Sequence, residues 1–286
     1  MTTGAPIGIR KGAHVGFLVA GCLSAVVSRL RAAGCVYAED EARLLLSTAA
    51  TAADLAAMVD RRVAGLPLEQ VVGWAEFCGL RIAVDPGVFV PRRRTEFLAG
   101  QAIARIRPGA VVVDLCCGSG AVGAALAAAV DDLELHAVDI DPAAVACARR
   151  NLVARGGRVY EGDLYAPLPA WLHGRVDVLV ANAPYVPTGE VRRLPREARP
   201  YEPRVALDGG TDGLAVVRRV SAAASGWLAP GGHLLIEISE HQAPRAAETF
   251  IGDGLMAWVA SFKELSAAVV IGTRPPLLES LDSRQG

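Results

Sequence analysis

Short apolar segments alternate with longer helical segments from about residue 93 onward, and this alternation restricts the possible folds more than any other feature of the chain. Four of the apolar segments are residues 111–113, 135–138, 176–180 and 234–238. Runs of this length predict buried strands. Strands that alternate with helices predict a parallel sheet covered by helices on both faces. We therefore expect an α/β domain over residues 93–286.

The chain before this alternation has two parts. Residues 1–75 contain apolar side chains at helical spacing, such as Leu23, Val26 and Leu30, and they predict a small helical domain. Residues 76–92 instead show alternating apolar positions that lead into Asp85-Pro86-Gly87, a turn signal. We expect this second part to be a β-hairpin linker.

An apolar run at residues 12–27 has two interpretations. It contains Val19-Ala20-Gly21-Cys22, which resembles a lipoprotein cleavage site. However, the run is too short to span a bilayer, and helical spacing continues from Leu23. We therefore favour a helix over a signal peptide, and we expect a cytoplasmic protein without a membrane segment. The 6 cysteines form no CxxC pair, which argues for free thiols and against a metal site.

Polar side chains lie at the ends of the predicted strands. Asp114, Asp139 and Asn182 each follow an apolar segment, and Asp163 follows a shorter one at Val159-Tyr160. Open parallel sheets bind their ligands outside the carboxyl ends of the strands. We therefore expect these side chains to meet at one edge of the sheet and to form a site there.

A glycine-rich loop joins the first of these strands to a helix. Gly118, Gly120 and Gly123 fit the pattern GxGxxG, which permits a tight turn and close approach to a nucleotide. Asp139, about twenty residues further on, suits the ribose hydroxyls of an adenosine-bearing cofactor. A carboxylate four residues before the first glycine, here Asp114, is typical of S-adenosylmethionine-dependent enzymes. A nicotinamide cofactor remains an alternative on the glycines alone.

The strand at residues 176–180 is followed by Asn182-Ala183-Pro184-Tyr185. A side-chain amide oxygen and a backbone carbonyl can each accept one N–H of a planar NH₂ group, and an aromatic ring can cover its flat face. An amide or aromatic amine is a poor nucleophile because its lone pair is delocalised, so it must be held in line with the methyl donor. The tetrapeptide therefore predicts the binding site of a planar nitrogen acceptor.

Taken together, these motifs resemble those of the protein-(glutamine-N5) methyltransferases, the HemK/PrmC family. The resemblance extends from about residue 23 to residue 274. Besides the glycine loop, Asp139 and the tetrapeptide, it includes the segments at residues 65–73, Glu76-Phe77, Val90 to Glu96, Tyr201-Glu202-Pro203 and Gly231 to Glu237.

This resemblance implies a Rossmann-like, seven-stranded class I methyltransferase domain at residues 93–286, preceded by a helical substrate-recognition domain and a β-hairpin linker. It implies methyl transfer from S-adenosylmethionine to the N5 amide of a glutamine in a peptide chain release factor, by a protein that we expect to be monomeric. The implied acceptor residues are Asn182, Ala183, Pro184 and Tyr185. The implied cofactor residues are Asp114, Cys116, Gly118, Ser119, Gly120, Asp139, Asp163, Leu164 and Asn182.

The sequence departs from the family pattern at three places. The family's Asn-Pro-Pro-Tyr is Asn-Ala-Pro-Tyr, which keeps the carbonyl acceptor of Ala183 but loses the rigidity of proline. The family's Pro-Arg-Pro-acid-Thr-Glu has Arg93 and Arg94 at its third and fourth positions, which adds positive charge near the cofactor. Cys116-Cys117 replaces a glycine-containing pair before Gly118. These changes leave the protein substrate open.

Other functions remain as alternatives. An adenine-N6 methyltransferase uses the same acceptor geometry, but a net charge of -1 and 5% aromatic residues argue against a nucleic-acid surface. Arginines cluster at residues 192–204 and could face solvent, an acidic protein or ribosomal RNA. A nicotinamide-dependent oxidoreductase leaves the tetrapeptide unexplained. A cofactor-binding scaffold without catalysis leaves Asn182 and Tyr185 unexplained.

Overall fold

The computed structural model describes residues 11–194 and 201–276, and for residues 11–21 it describes the backbone helix alone. Within these ranges the chain forms two compact units, which are divided between Val72 and Gly73. No helix in the described ranges is both long enough and apolar enough to cross a bilayer. Of the arginine cluster predicted from sequence, Arg196 and Arg199 lie outside the described residues.

The first unit consists of helices α1 (Lys11–Ala32), α2 (Ala38–Thr48), α3 (Ala52–Val63) and α4 (Leu68–Val72). Its core contains Val26 and Leu30, two of the residues whose spacing predicted a helix. The Thr51 hydroxyl caps α3 by accepting a hydrogen bond from the Asp54 backbone N–H at 3.1 Å, a common way to satisfy the first free amides of a helix. The apolar run at residues 12–27 lies within α1, one continuous helix that ends at Ala32.

A two-stranded hairpin opens the second unit, and it lies earlier than the sequence predicted. Strands β1 (Trp74–Phe77) and β2 (Leu80–Ala83) pair antiparallel across Cys78 and Gly79. Both turn residues have positive φ, 49° and 72°, as a two-residue type I′ turn requires. The predicted turn at Asp85-Pro86-Gly87 forms, because the Val88 N–H donates to the Asp85 carbonyl oxygen at 3.1 Å, but it joins no pair of the described strands. The Cys-Gly turn signal is weaker than Asp-Pro-Gly, but the backbone twist of β1 and β2 selects it.

The remaining elements form the predicted α/β arrangement. Their bounds, in chain order, are α5 (Thr95–Ile103), β3 (Val111–Leu115), α6 (Ala121–Ala129), β4 (Glu134–Asp139), α7 (Pro142–Leu152), β5 (Arg158–Glu161), β6 (Val176–Ala181), α8 (Ala215–Trp227), β7 (Leu228–Ile238), α9 (Ala243–Gly252), β8 (Met256–Phe262) and β9 (Ala267–Thr273).

The strands form a 7-stranded sheet in the order β5-β4-β3-β6-β7-β9-β8. The first five of these run parallel, and β9 pairs antiparallel with both β7 and β8. This Rossmann-like methyltransferase arrangement confirms the predicted fold class. Alternate residues of the central strands point to opposite faces, so Val113 and Leu179 pack in one core and Val112 and Val178 in the other.

Helix termini in this unit follow from local sequence. Pro142 occupies the first turn of α7, where its missing N–H leaves no helical hydrogen bond unmade. The Asp141 carboxylate caps the same helix by accepting from the Ala143 backbone N–H at 2.9 Å. Helix α6 begins after Gly120, whose φ of 77° is left-handed and favours glycine. These termini bring the amino ends of α6 and α7 to the carboxyl edge of the sheet.

Candidate active site

The neighbouring strands β3 and β6 mark the point where the chain changes direction along the sheet. From β3 the order continues outward through β4 and β5, and from β6 it continues through β7 on the other side. Such a switch point opens a crevice outside the carboxyl ends of the two strands. A cavity lies there, and its wall includes Asp114 at the end of β3 and Asn182 directly after β6.

The structure brings together the residues singled out from the sequence, with one exception. The cavity wall contains Asp114, Cys116, Gly118, Ser119, Asp139, Asp163, Leu164, Asn182, Ala183, Pro184 and Tyr185. Gly120 does not line the cavity. A Cβ at Gly120 would lie 3.0 Å from the Leu152 side chain, so this glycine allows the turn and the packing of α6 against α7.

The glycine loop and Asp139 form one hydrogen-bonded unit. The backbone N–H of Gly118 donates to Oδ2 of Asp139 at 2.8 Å, and the N–H of Asp141 donates to Oδ1 at 2.9 Å. Gly118 has a φ of 55°, and a Cβ there would meet no atom within 4 Å, so it faces open space. Burial raises the pKa of Asp139, while these two N–H groups oppose the rise. The loop therefore presents an accessible backbone next to a carboxylate of fixed orientation.

Asp114 is buried deeper, with 1% of its surface exposed. Its Oδ2 accepts a hydrogen bond from the Gly123 backbone N–H at 3.0 Å. A Cβ at Gly123 would lie 3.2 Å from the same oxygen, so the third glycine of the motif allows this close approach. Burial raises the pKa of the Asp114 carboxyl to about 7, although the Gly123 hydrogen bond acts in the opposite direction. A cationic ligand group beside Asp114 would favour its ionised form.

The thiols of Cys116 and Cys117 are not reactive in this setting. Burial, followed by the nearby carboxylates of Asp114 and Asp139, raises the pKa of both thiols. Thiolates are the reactive form of cysteine, so these side chains stay protonated and act as small wall residues. Cys116 has a φ of 55°, a left-handed backbone conformation that is strained for a residue other than glycine.

The same side of the cavity as Asp114 and Asp139, here called the cofactor side for the ligand that the sequence predicts, carries an ion pair that the sequence did not reveal. Arg219 of α8 donates from Nη2 to Oδ2 of Asp163 at 2.6 Å, and both residues line the cavity. Both side chains are about half exposed, 56% and 46%. Leu164, next to Asp163, has a φ of 51° and is buried against the sheet. One oxygen of Asp163 is therefore occupied by the arginine.

Asn182 and Ala183 line the other side of the cavity, and each has an oxygen atom without a hydrogen-bond donor among the described residues. The Asn182 amide nitrogen points to Oγ1 of Thr95 at 3.5 Å, and no donor among residues 11–194 and 201–276 bonds its Oδ1. The carbonyl oxygen of Ala183 likewise accepts no hydrogen bond from the described residues. Both residues line the cavity. This pair of free acceptors, here called the acceptor pair, can bind the two N–H groups of one NH₂.

The Tyr185 ring is fixed beside the acceptor pair. Its hydroxyl donates to Oε1 of Glu237 at 3.1 Å, and Cζ of Arg94 lies 5.4 Å from the ring centroid. Burial, followed by the Glu237 carboxylate, raises the pKa of Tyr185, so the hydroxyl remains a hydrogen-bond donor. Glu237 is 1% exposed at the carboxyl end of β7, the same position at which Asp114 and Asp139 end their strands. The sequence signal that could have identified Glu237 is a charged residue at the end of an apolar strand.

The backbone of the tetrapeptide is held by residues far along the chain. Nε2 of Gln242 donates to the carbonyl oxygen of Tyr185 at 3.0 Å. A Cβ at Gly213 would lie 2.2 Å from that oxygen, and a Cβ at Gly209 would lie 2.6 Å from the Pro184 oxygen. These two glycines therefore let the loop before α8 pack directly on the tetrapeptide backbone. Sequence reasoning missed Gln242 and both glycines because nothing local marks a contact that spans this much chain.

A second set of contacts, here called the clamp, joins the segment before α5 to the loop at residues 201–207. Nη2 of Arg92 lies 2.7 Å from both oxygens of Glu202, which is 4% exposed. Oε1 of Glu202 also accepts from the Val90 backbone N–H at 3.1 Å. Pro203 and Phe89, one neighbour on each side of the clamp, line the cavity. The clamp therefore shapes the rim on the acceptor side.

Comparison with known proteins adds independent information. Residues 79–196 match the family model described as "Methyltransferase small domain". A release factor glutamine methyltransferase of Geobacter sulfurreducens is 41% identical over 197 residues, which are 68% of this chain and 67% of that protein. A 4-amino-L-phenylalanine/4-methylamino-L-phenylalanine methyltransferase of Streptomyces pristinaespiralis is 37% identical over 71% of both chains.

Among solved structures, a methyltransferase from Pyrococcus furiosus is similar in fold. Its TM-score is 0.53 at 19% sequence identity, and the match covers 69% of this chain and 90% of that one. At this level of identity the likeness concerns the fold of the α/β unit.

Proposed function

Since the chain belongs to the release factor glutamine methyltransferase family, we propose that it transfers a methyl group from S-adenosylmethionine to the side-chain amide nitrogen of a glutamine in a peptide chain release factor. The observation that carries this proposal is the acceptor pair. Asn182 Oδ1 and the Ala183 carbonyl oxygen stand free in the same cavity as the glycine loop. A primary amide offers two N–H groups in one plane, which matches two neighbouring acceptors.

The cofactor side of the cavity fits S-adenosylmethionine in charge and shape. The open backbone at Gly118 and the carboxylate of Asp139 suit an adenosine ribose, and Asp114 suits a cationic amino acid group. Ser119, Cys116 and Leu164 supply small or apolar wall next to them. When bound, the cofactor supplies an electrophilic methyl group on a sulfonium.

The chain's own residues orient the acceptor nitrogen. Asn182 and Ala183 accept its two N–H groups, which holds the nitrogen between the tetrapeptide and the methyl donor. The Tyr185 ring, held by Glu237, covers the flat face of the amide and excludes water from it. Positioning of this kind can lower a barrier by roughly 7–11 kcal/mol when the geometry is right. The nitrogen that has received the methyl group is positively charged and still carries two protons, so it readily loses one of them to solvent, and the cavity needs no strong base.

The helical unit at residues 1–72 serves as the substrate-recognition domain, and the enzyme acts as a cytoplasmic monomer. The arginines that the structure describes between residues 192 and 204 include Arg204, which pairs with Asp208 at 2.8 Å. This pairing supports a role in the loop itself more than in nucleic-acid binding.

A second candidate keeps the same acceptor pair and changes the nitrogen. The Streptomyces pristinaespiralis relative is named for methylating 4-amino-L-phenylalanine, whose aromatic amine is also a planar NH₂ group. The acceptor pair and the Tyr185 ring fit this amine as well as an amide. A free amino acid is therefore the alternative acceptor class for this cavity.

The test is methyl transfer to defined acceptors. The purified chain is incubated with methyl-labelled S-adenosylmethionine and, in separate reactions, with unmethylated release factors, 4-amino-L-phenylalanine or nucleic acid, and mass spectrometry locates the label. We expect the label on the glutamine of the Gly-Gly-Gln motif. Label on 4-amino-L-phenylalanine and none on release factors would select the second candidate. Label on adenine in nucleic acid would contradict both.

A further inference from the structure

Arg94 occupies a specific place on the acceptor side of the cavity. It directly precedes α5, lines the cavity, and lies with Cζ 5.4 Å from the Tyr185 ring centroid. The next residue, Thr95, contacts the amide nitrogen of Asn182. The guanidinium group therefore lies next to the ring that covers the acceptor nitrogen.

The position is unfavourable for a cation on local grounds. The amino end of a helix carries a partial positive charge, so a carboxylate rather than an arginine is stabilised there. Arg94 makes no capping hydrogen bond to α5. The positive charge of Arg94 is instead balanced by Glu237 on β7, whose Oε1 lies 3.1 Å from Nε of Arg94. The arginine is thus held by a buried residue at the carboxyl end of β7.

The ion pair with Glu237 leaves most of the guanidinium unused. Only Nε bonds the carboxylate, and the same Oε1 also accepts from the Tyr185 hydroxyl. The buried Oε2 of Glu237 has no partner among the described residues. An arginine that served only to neutralise Glu237 would be expected to bond both oxygens in the bidentate form. Here the two Nη groups make no hydrogen bond within residues 11–194 and 201–276, and the side chain is 43% exposed.

The charges around the cavity are divided between its two sides. The carboxylates of Asp114, Asp139 and Asp163 line the cofactor side, and Arg219 is paired with Asp163 there. On the other side, Arg94 lines the cavity beside Tyr185, whereas the nearby Arg92 is bonded to both oxygens of Glu202. An anionic group on the acceptor could therefore bind the two Nη groups of Arg94, which make no hydrogen bond within the described residues, close to the reacting nitrogen.

We propose that Arg94 determines acceptor specificity by binding a carboxylate that the acceptor carries. This inference rests on the proposed function and specifies its substrate class. In a protein acceptor the carboxylate is the side chain of an aspartate or glutamate next to the glutamine. In a free amino acid it is the α-carboxylate. Planar carboxylates accept two parallel hydrogen bonds from the Nη groups of an arginine.

The test compares acceptors that differ only in this charge. Two end-blocked peptides, one with Gly-Gly-Gln-Asp and one with Gly-Gly-Gln-Asn, are assayed for methyl transfer, together with the pair that carries Asp or Asn before the two glycines. The small-molecule pair is 4-amino-L-phenylalanine and its carboxamide. We expect kcat/KM to be higher for the carboxylate member of a pair by about tenfold or more, the usual size of a charge-assisted contact. Peptide and small-molecule pairs distinguish the two sources of the carboxylate.

Variants of adjacent arginines provide the control. Arg94→Gln should reduce the preference within a pair to near unity, whereas Arg94→Lys should keep part of it. Arg93→Gln removes a neighbouring charge that is exposed and outside the cavity wall, so it should leave the preference unchanged. The preference is a ratio measured on one preparation, so partial unfolding of a variant does not alter it.

Three results would overturn the inference. The wild-type chain could use both members of every pair equally, or Arg94→Gln could retain the preference. Alternatively, Arg94→Gln could weaken S-adenosylmethionine binding as much as it weakens acceptor use, which would assign Arg94 to the cofactor's own carboxylate. Methyl transfer to all acceptors without charge preference leaves the proposed function in place. Absence of transfer to every peptide and small molecule would be a fourth result that overturns the inference, whereas transfer to intact release factors, assayed in parallel, would still support the proposed function.

Discussion

The Tyr185 hydroxyl donates a hydrogen bond to Oε1 of Glu237 across 3.1 Å, between the tetrapeptide after β6 and the carboxyl end of β7. These residues are 52 positions apart in the chain, but their strands are neighbours in the sheet. The bond orients the ring that would cover the acceptor nitrogen. The parallel pairing of β6 and β7 therefore fixes a side chain of the candidate active site.

The first prediction concerns this hydrogen bond. Tyr185→Phe keeps the ring but leaves Glu237 with one donor fewer, so the free energy of unfolding should fall by about 1–2 kcal/mol. Turnover should fall less than in Tyr185→Ala, which removes the ring. Chemical denaturation and steady-state kinetics measure the two effects. Tyr165→Phe is the control, because its hydroxyl bonds the Val220 carbonyl at 2.7 Å, away from the cavity wall. Equal loss of turnover in both phenylalanine variants would contradict the role of Tyr185.

The second prediction concerns the packing of the loop on the tetrapeptide. Gly213→Ala places a Cβ 2.2 Å from the Tyr185 carbonyl oxygen at a φ of 75°, so the loop must shift. We expect a loss of about 2 kcal/mol or more in unfolding free energy and a raised KM for the acceptor. Gly226→Ala in α8 is the matched control, because its Cβ meets nothing within 4 Å. Alanine there should stabilise the helix by about 0.5–1 kcal/mol. An unchanged acceptor KM in Gly213→Ala would contradict this account.

The third prediction concerns pH. The folded-state pKa of Asp114 is raised to about 7, well above the value of about 4 for an unfolded chain. Between these values the folded state binds a proton that the unfolded state lacks, so the contribution of Asp114 to stability decreases as pH rises and levels off above about pH 7. Asp114→Asn should remove this part of the slope in denaturation measured from pH 5 to 8.

The same titration should appear in cofactor binding. An ionised Asp114 attracts a cationic ligand group, so S-adenosylmethionine affinity should rise as pH increases through about 7. Burial also raises the pKa of Asp139, which acts in the same direction. Calorimetric titration at a series of pH values measures the affinity. A pH-independent affinity in the wild-type chain, or an unchanged profile in Asp114→Asn, would contradict the role of Asp114.

The sequence predicted the fold class and much of the cavity wall because the relevant signals are local. An apolar run followed by Asp114, Asp139 or Asn182 places a polar group at the end of a strand, and parallel strands end at one edge of a sheet. The same reasoning applied to β7 would have identified Glu237. The hairpin was misplaced because Asp85-Pro86-Gly87 is a stronger turn signal than Cys78-Gly79, while the observed pairing depends on the neighbouring strands.

Contacts between distant segments were beyond local reasoning. Gln242 holds the Tyr185 carbonyl across 57 positions, and Arg92 holds Glu202 across 110. Such pairs depend on how the loops cross the sheet edge, which periodicity and spacing do not encode. Local reasoning also did not reveal that Gly120 allows packing against Leu152, because a glycine in a motif can serve packing as well as ligand approach.

The measurement that tests the central claim most directly is the Asn182→Ala variant, with single-turnover methyl transfer and cofactor affinity determined on the same preparation. The account assigns Asn182 to the acceptor and the glycine loop to the cofactor. We therefore predict that the rate of transfer to the release factor falls by about a hundredfold or more, while the S-adenosylmethionine dissociation constant stays nearly unchanged. An unchanged transfer rate, or an equal loss of rate and cofactor affinity, would contradict the claim.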